Sequence, residues 1–264
     1  MITLKEKVKA NRYQVVVQSN EFIRRVPPVK LDEQEAKIIY FMASKIRPTD
    51  KEFMTVKVNL EELFATCGIN SSGKNYNDIK KSLKKLSDKS AWYEVSINGR
   101  RGHQLVRWID TYLIIDGSGE LEATFSMGMK PFLLELISKG HFTQSKLLNF
   151  LALKSKYSQR LYEILKSYTY YDPKRAYIVV IEKIELEALK KMLNAENYRE
   201  YKNFKVRVLD IAMRQINNVT DILVSYEPIK TGRLTTHIQF NIQIKKPFER
   251  LIADTTAEKI LDKK

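Results

Sequence analysis

Five polar side chains between Arg199 and Asn217 repeat at intervals of four, three, four and three: Asn203, Arg207, Asp210, Arg214 and Asn217. On a helix those intervals place them along one side. Their chemistry suits the edges of bases. An arginine can fork onto O6 and N7 of guanine and an asparagine onto N6 and N7 of adenine, each pair discriminating by about 1–3 kcal/mol. Asp210 could accept from a cytosine amine or orient Arg207 or Arg214. Arg199, Lys202 and Lys205 on the same stretch, with Lys230 and Arg233 in the Gly-containing turn that follows, add positive charge suited to phosphates. The competing reading is a solvated helix face laced by ion pairs worth a few tenths of a kcal/mol each.

A second basic set has a different character. Lys81, Lys84 and Lys85 lie on one side of a predicted helix from Asn75 to Asp88, opposite the apolar stripe Tyr76, Ile79, Leu83 and Leu86. Arg100 and Arg101 follow in NGRRG, predicted to be the tip of a wing. Lysines present point charges where arginines present forks, so this set suits phosphates better than bases. The expectation is a division of labour, the later helix reading sequence and the earlier one clamping backbone.

Other constellations carry less. GINSSGKN, residues 68–75, has the glycine spacing of a phosphate-cradling loop but Asn75 where Ser or Thr would hold Mg²⁺. It also joins two predicted helices, whereas such a loop needs a buried strand ahead of it. His103, His141 and His237 are isolated in sequence, with no metal-ligand spacing. Tyr168, Tyr170 and Tyr171 sit at a helix end, where packing is the ordinary role. The single cysteine, Cys67, excludes an internal disulfide and reads as a small residue closing a helix. The expectation is a protein that is not an enzyme and uses no cofactor or metal.

The whole chain agrees with a polyanionic partner. Its 264 residues carry a formal charge of +15, and 44% apolar content is enough for a real core. No apolar run is long enough to span a membrane, and the first 25 residues lack a signal core, so a cytoplasmic protein without membrane association is expected.

The elements that must position these residues follow from periodicity. Leu31 to Ile46 is predicted helical, with Ala36, Ile39, Tyr40 and Ala43 on one face and acids in its first turn. The alternating run MTVKVN leads to Asn59, a predicted N-cap for LEELFATC, which Gly68 closes. After the lysine helix come AWYEVSI, QLVRWIDTYLIID and ELEATFSM, joined by the hairpin turns NGRRG and DGSG. That order is a winged helix. It repeats: a long helical region FTQSKLLNFLALKSKYSQRLYEILKSYTYY, strand YIVVI, helix KIELEALKKML, the helix with Arg207, then two strands around KTGR. The predicted fold is α+β with two tandem winged-helix domains, at 1–139 and 140–250, and a solvated polar tail at 251–264.

LDEQEAKIIYFMASKI after QSNEFI, then SKYSQRLYEILKSY, then FKVRVLDIAMRQINNVTDI followed by KTGR and IQFNI, resemble the signatures of iteron-binding plasmid replication initiator (Rep) proteins. The match runs from about Val15 to Ile244 in order, and SKYSQRLYEILKSY is its most specific piece. RRVPPVK, between Ile23 and Leu31, departs from the pattern through Pro27 and Pro28. The resemblance implies two winged-helix domains, binding of double-stranded DNA repeats at an origin, recruitment of host replication proteins and repression of the chain's own gene as a homodimer. A winged-helix transcriptional regulator with no part in replication would use the same helices and wings.

Overall fold

The computed structural model describes residues 2–25, 30–47, 49–69, 73–169 and 179–263. The backbone forms two compact units, Met1–Leu147 and Leu148–Lys263.

The first unit begins with α1 (Leu4–Arg12), β1 (Val15–Ser19) and α2 (Asn20–Arg25), then α3 (Glu33–Ala43), β2 (Val56–Asn59), α4 (Leu60–Cys67) and α5 (Gly73–Asp88). Local sequence sets the helix ends. Asp32 and Glu35 form a capping box before α3, the Asn59 side chain accepts from Glu61 N at 2.8 Å, and Gly68 ends α4 at φ 63°. The Arg12 guanidinium adds charge to that end, donating to the α4 carbonyls of Thr66 and Ala65 at 3.2 and 2.9 Å. A helix precedes GINSSGKN and Gly73 opens the next one, so no strand leads into the loop; positions 70–72 lie outside the described residues.

Four strands follow α5: β3 (Ser90–Ile97), β4 (Arg100–Arg107), β5 (Ile109–Ile115) and β6 (Glu120–Phe125). The run read as the single strand QLVRWIDTYLIID is two, because the chain bends at Trp108. That indole is buried edge-on against Phe22, ring centroids 5.0 Å apart, and its carbonyl accepts from Ser126 N. The break divides the strands into two sheets. β5 and β6 join β2 in the order β2-β6-β5, while β3 and β4 form a separate two-stranded hairpin. The unit ends with α6 (Lys130–Leu133), α7 (Leu136–Lys139) and β7 (Phe142–Lys146). β7 pairs antiparallel with β1, Val16 opposite Ser145, so FTQSK is strand and not the start of a long helix, and 140–147 belongs with the first unit.

The second unit runs α8 (Leu147–Leu151), α9 (Lys156–Ser167), β8 (Val179–Glu185), α10 (Leu186–Met192), α11 (Tyr201–Phe204), a π-helical stretch at Lys205–Leu209, α12 (Asp210–Val219), β9 (Ile222–Thr231), β10 (Leu234–Ile244) and α13 (Pro247–Asp262). Its sheet order is β8-β10-β9. This repeats β2-β6-β5: in each unit the strand before the second helix pairs with the returning strand of the hairpin after the third. Leu147, Phe150, Leu151, Leu161, Ile164 and Leu165 are all buried, as the helical spacing predicts. The segment expected to be a solvated tail is instead helix α13, because Ala253, Ala257 and Leu261 recur at four-residue spacing and are buried.

Candidate nucleic-acid interface

In the second unit α11, the π stretch and α12 follow one another without a break from Tyr201 to Val219, the third helix of the winged-helix order. A π turn accommodates an extra residue and so shifts the phase of everything after it. Phe204, Val208, Leu209, Ala212, Met213 and Ile216 are buried. A regular wheel puts Ile211 in that set and leaves out Leu209 and Met213; the π turn brings the latter two inward and leaves Ile211 half-exposed. Lys202, Asn203, Val206, Arg207, Arg214 and Asn218 are exposed on the far side.

The expected stripe therefore separates into free and engaged members. Among the described residues Arg207 and Arg214 have no hydrogen-bond or ion-pair partner, and their guanidinium forks are open to solvent. Asn203 uses one amide hydrogen on Glu200, at 3.1 Å, and keeps its oxygen and second hydrogen. Asp210 orients neither arginine. It accepts from Lys205 Nζ at 2.8 Å and from the Tyr226 hydroxyl of β9 at 2.6 Å, tying the helix to the hairpin. Burial pushes the Asp210 carboxyl up, but the bonds from Lys205 and Tyr226 and the lysine charge hold it below its usual value. Its bond to Asp210 raises Lys205, and burial followed by the separate bond from its hydroxyl to Asp210 raises Tyr226. Asn217 is likewise committed: it donates to Val224 O and accepts from Val224 N, both at 2.8 Å. An asparagine bonded both ways to a strand holds the helix in place and cannot also fork onto a base, which corrects its expected part in DNA contact.

The end of this helix is fixed from behind. Lys245 Nζ donates to Asn217 O at 2.5 Å and Asn149 Nδ2 to Val219 O at 2.9 Å, satisfying carbonyls that a helix terminus leaves open. Just beyond, Asp221 pairs with Lys166 at 2.5 Å and accepts from the Tyr162 hydroxyl at 2.9 Å. Tyr162 and Lys166 stand four apart on α9 and both belong to SKYSQRLYEILKSY, so two polar residues of that segment tie α9 to the chain just after α12. Burial raises the Asp221 carboxyl, the Lys166 charge and its hydrogen bonds lower it more, and the net position is below the usual carboxylate value. At the other end Lys190, itself buried, donates to Arg199 O at 3.2 Å and lies over the Phe204 ring. Arg199 is exposed, as are Lys230 and Arg233, which flank Gly232 at the β9–β10 turn, where φ is 61°.

The first unit presents lysine. Ile79, Leu83 and Leu86 of α5 are buried, and Lys80, Lys81, Lys84 and Lys85 are exposed; the side chain of Tyr76 lies outside the described residues. Three of these lysines already have acids: Lys80 with Asp116 at 3.0 Å, Lys81 with Asp78 at 3.7 Å and Lys84 with Asp88 at 3.0 Å. Spacing alone gives no reason to single out Lys80, since its partner is remote in the chain. Arg100 and Arg101 sit at the tip of the separate β3–β4 hairpin, with Arg101 2.6 Å from Glu94. By sheet order the wing of this unit is the β5–β6 hairpin, whose turn is Asp116–Gly119. This corrects the placement of NGRRG as a wing tip: the bend at Trp108 detaches that hairpin from the sheet.

Cys67 is fully buried, and burial pushes its thiol up to about 12 against the opposing charges of Lys37, Arg12 and Lys45. Among the described residues no three His, Cys, Asp or Glu side chains gather where they could hold a metal ion, and no helix is long and apolar enough to cross a membrane. Tyr170 and Tyr171 lie outside the described residues, and Tyr168 is the C-cap of α9.

Comparison with known proteins agrees with this architecture. A family model described as Initiator Replication protein, WH1 matches residues 15–166, and one described as Initiator Rep protein, WH2 matches residues 185–242. Among solved structures, the Pi initiator protein in complex with iteron DNA is similar, with 21% identity and a TM-score of 0.69 over 89% of this chain and 99% of that one. Domains 2 and 3 of RctB match more distantly, with 14% identity and a TM-score of 0.42 over 71% of this chain and 72% of theirs. At these identities the likeness to Pi speaks for a shared fold.

Proposed function

The chain belongs to the initiator replication protein family and carries that family's first and second winged-helix parts in order, and from that premise we propose that it initiates plasmid replication by binding iteron repeats in double-stranded DNA. The observation that carries this reading is the outer face of the second module's third helix, where Asn203, Arg207 and Arg214 are exposed on a helix whose position is fixed from behind. A similar fold has been solved on iteron DNA in Pi. The net charge of +15 supports the same partner.

Within this reading the second module supplies sequence discrimination through Asn203, Arg207 and Arg214. Lys202, Arg199 and the turn residues Lys230 and Arg233 contact phosphates beside it. The first module adds phosphate contacts from Lys81, Lys84, Lys85, Arg100 and Arg101; the pairing of Lys81, Lys84 and Arg101 with surface acids is worth about 0–1 kcal/mol each and yields readily to a phosphate. Opening of the duplex draws on binding and bending by several copies on adjacent sites, with no fuel hydrolysed and no cofactor used. Host replication proteins join at the origin, and a second copy of the chain pairs with the first when it represses its own gene.

Footprinting the purified protein on the DNA flanking its gene tests this reading. The expected result is a row of direct repeats about 20 base pairs apart, roughly two duplex turns. A single protected inverted repeat across a promoter would replace initiation with transcriptional regulation. Strand cleavage or triphosphate turnover by the pure protein would overturn the non-enzymatic part.

A further inference from the structure

Val206 is an apolar side chain on the outside of the groove-facing helix, where Lys202, Asn203, Arg207 and Arg214 are exposed with it. It points away from the core, with 54% of its surface exposed, whereas Phe204 and Val208, two residues to either side, are buried. It lies in the first two turns of the helix, the part that reaches base edges in helix-turn-helix proteins. Asn203 and Arg207 flank it, and Asp210 is occupied by Lys205 and Tyr226. This face therefore offers the groove one apolar contact between groups that can hydrogen-bond to bases.

The major groove presents one apolar group, the 5-methyl of thymine, which Asn and Arg cannot recognise and which a small apolar side chain can cover. We propose that Val206 packs on a thymine methyl, so that each repeat requires an A·T pair with its thymine on the contacted strand at this position. The proposal rests on the groove-facing role given to this helix above. It adds a specificity determinant of a different kind from the hydrogen-bonding residues, because its target is a carbon.

Replacing thymine by uracil removes that methyl and leaves every base-pair hydrogen bond intact. The duplex protected in the footprint is resynthesised with each thymine of one repeat changed to uracil in turn, and binding of the full chain is measured. For the unaltered protein one position is expected to weaken binding about fourfold, the worth of one methyl-sized group leaving water. Val206→Ala is expected to bind the thymine duplex about fourfold more weakly and to show no further loss with uracil at that position. A uracil scan that is flat for the unaltered protein overturns the proposal, and so does a uracil penalty that persists undiminished in Val206→Ala. If the unaltered protein does not prefer the protected duplex to a random one, the proposed function falls with it; a preference that survives a flat scan removes the role of Val206 alone.

Discussion

The third helices of the two modules hold equivalent places beside equivalent sheets, yet their outer faces carry different chemistry. α5 shows water a row of lysines, three of them leaning on nearby acids, beside a wing turn that carries Asp116. The Arg207 helix shows two open guanidinium forks and a mostly open amide, and is locked to its own sheet and to α9 through Asn217, Asp210, Lys245 and Asp221. The difference is one of precision. A phosphate can be approached from many directions by a flexible ammonium, whereas a fork on a base edge must arrive at a set angle, and only a helix held at several points can deliver it.

The largest effect expected from breaking that difference is on stability. Asp221→Ala leaves Lys166 largely buried without its counter-charge, at an expected cost of about 3–5 kcal/mol, whereas Lys84→Ala should fall within about 0.5 kcal/mol of the unaltered protein. Denaturant melts of both variants check this, and equal midpoints would mean that neither helix is specially anchored. Next in size is recognition. Arg207→Ala is expected to weaken binding to the protected duplex by roughly 10- to 100-fold, the worth of one forked hydrogen-bond pair, and to affect random duplex much less. Competition binding measures both, and equal effects would make Arg207 a phosphate-binding group like the lysines. The lysine side is sharpened by salt. Changing Lys81, Lys84 and Lys85 together to alanine should weaken protected and random duplex alike and flatten the slope of log affinity against log salt by about 0.9 for each phosphate that is no longer neutralised. An unchanged slope removes the clamp.

The smallest effect expected is on acid sensitivity. Against the upward push of burial, Lys166 and its hydrogen bonds hold the Asp221 carboxyl, only 19% exposed, below its usual value. Its contribution to stability is therefore complete above the unfolded-state value of about 3.9 and disappears as pH falls through the lower folded value. The unaltered protein should accordingly lose more melting temperature between about pH 5 and pH 3 than Asp221→Asn, which has no proton to gain there. Parallel profiles would show that the pair with Lys166 contributes nothing that depends on charge.

The sequence displayed the parts of this design that depend on local pattern. Helix period, the capping residues Asn59 and Gly68, and alternation in the strands were enough to give the repeated order and hence the fold class. What it hid depends on remote partners. FTQSK pairs with Val15–Ser19 across more than a hundred residues, so Thr143 and Ser145 are buried although polar side chains ordinarily stay at the surface. Trp108 breaks a run of good strand formers because its ring is wanted against Phe22. The same limit applied at the interface: the open arginines were legible from spacing, while the engagement of Asn217 with Val224 and of Asp210 with Tyr226 depends on a strand that folds back later.

The widened turn at Lys205–Leu209 has a consequence for anyone wishing to retarget this protein. Side chains before Lys205 and those after Leu209 obey two helical phases offset by about one residue, or roughly 100° of rotation. A specificity graft drawn on a single wheel would place its second half on the wrong side of the helix. Deleting one residue of the widened turn other than Arg207 should restore a single helical phase and leave Arg214 where it stands, because the extra residue is what that turn absorbs.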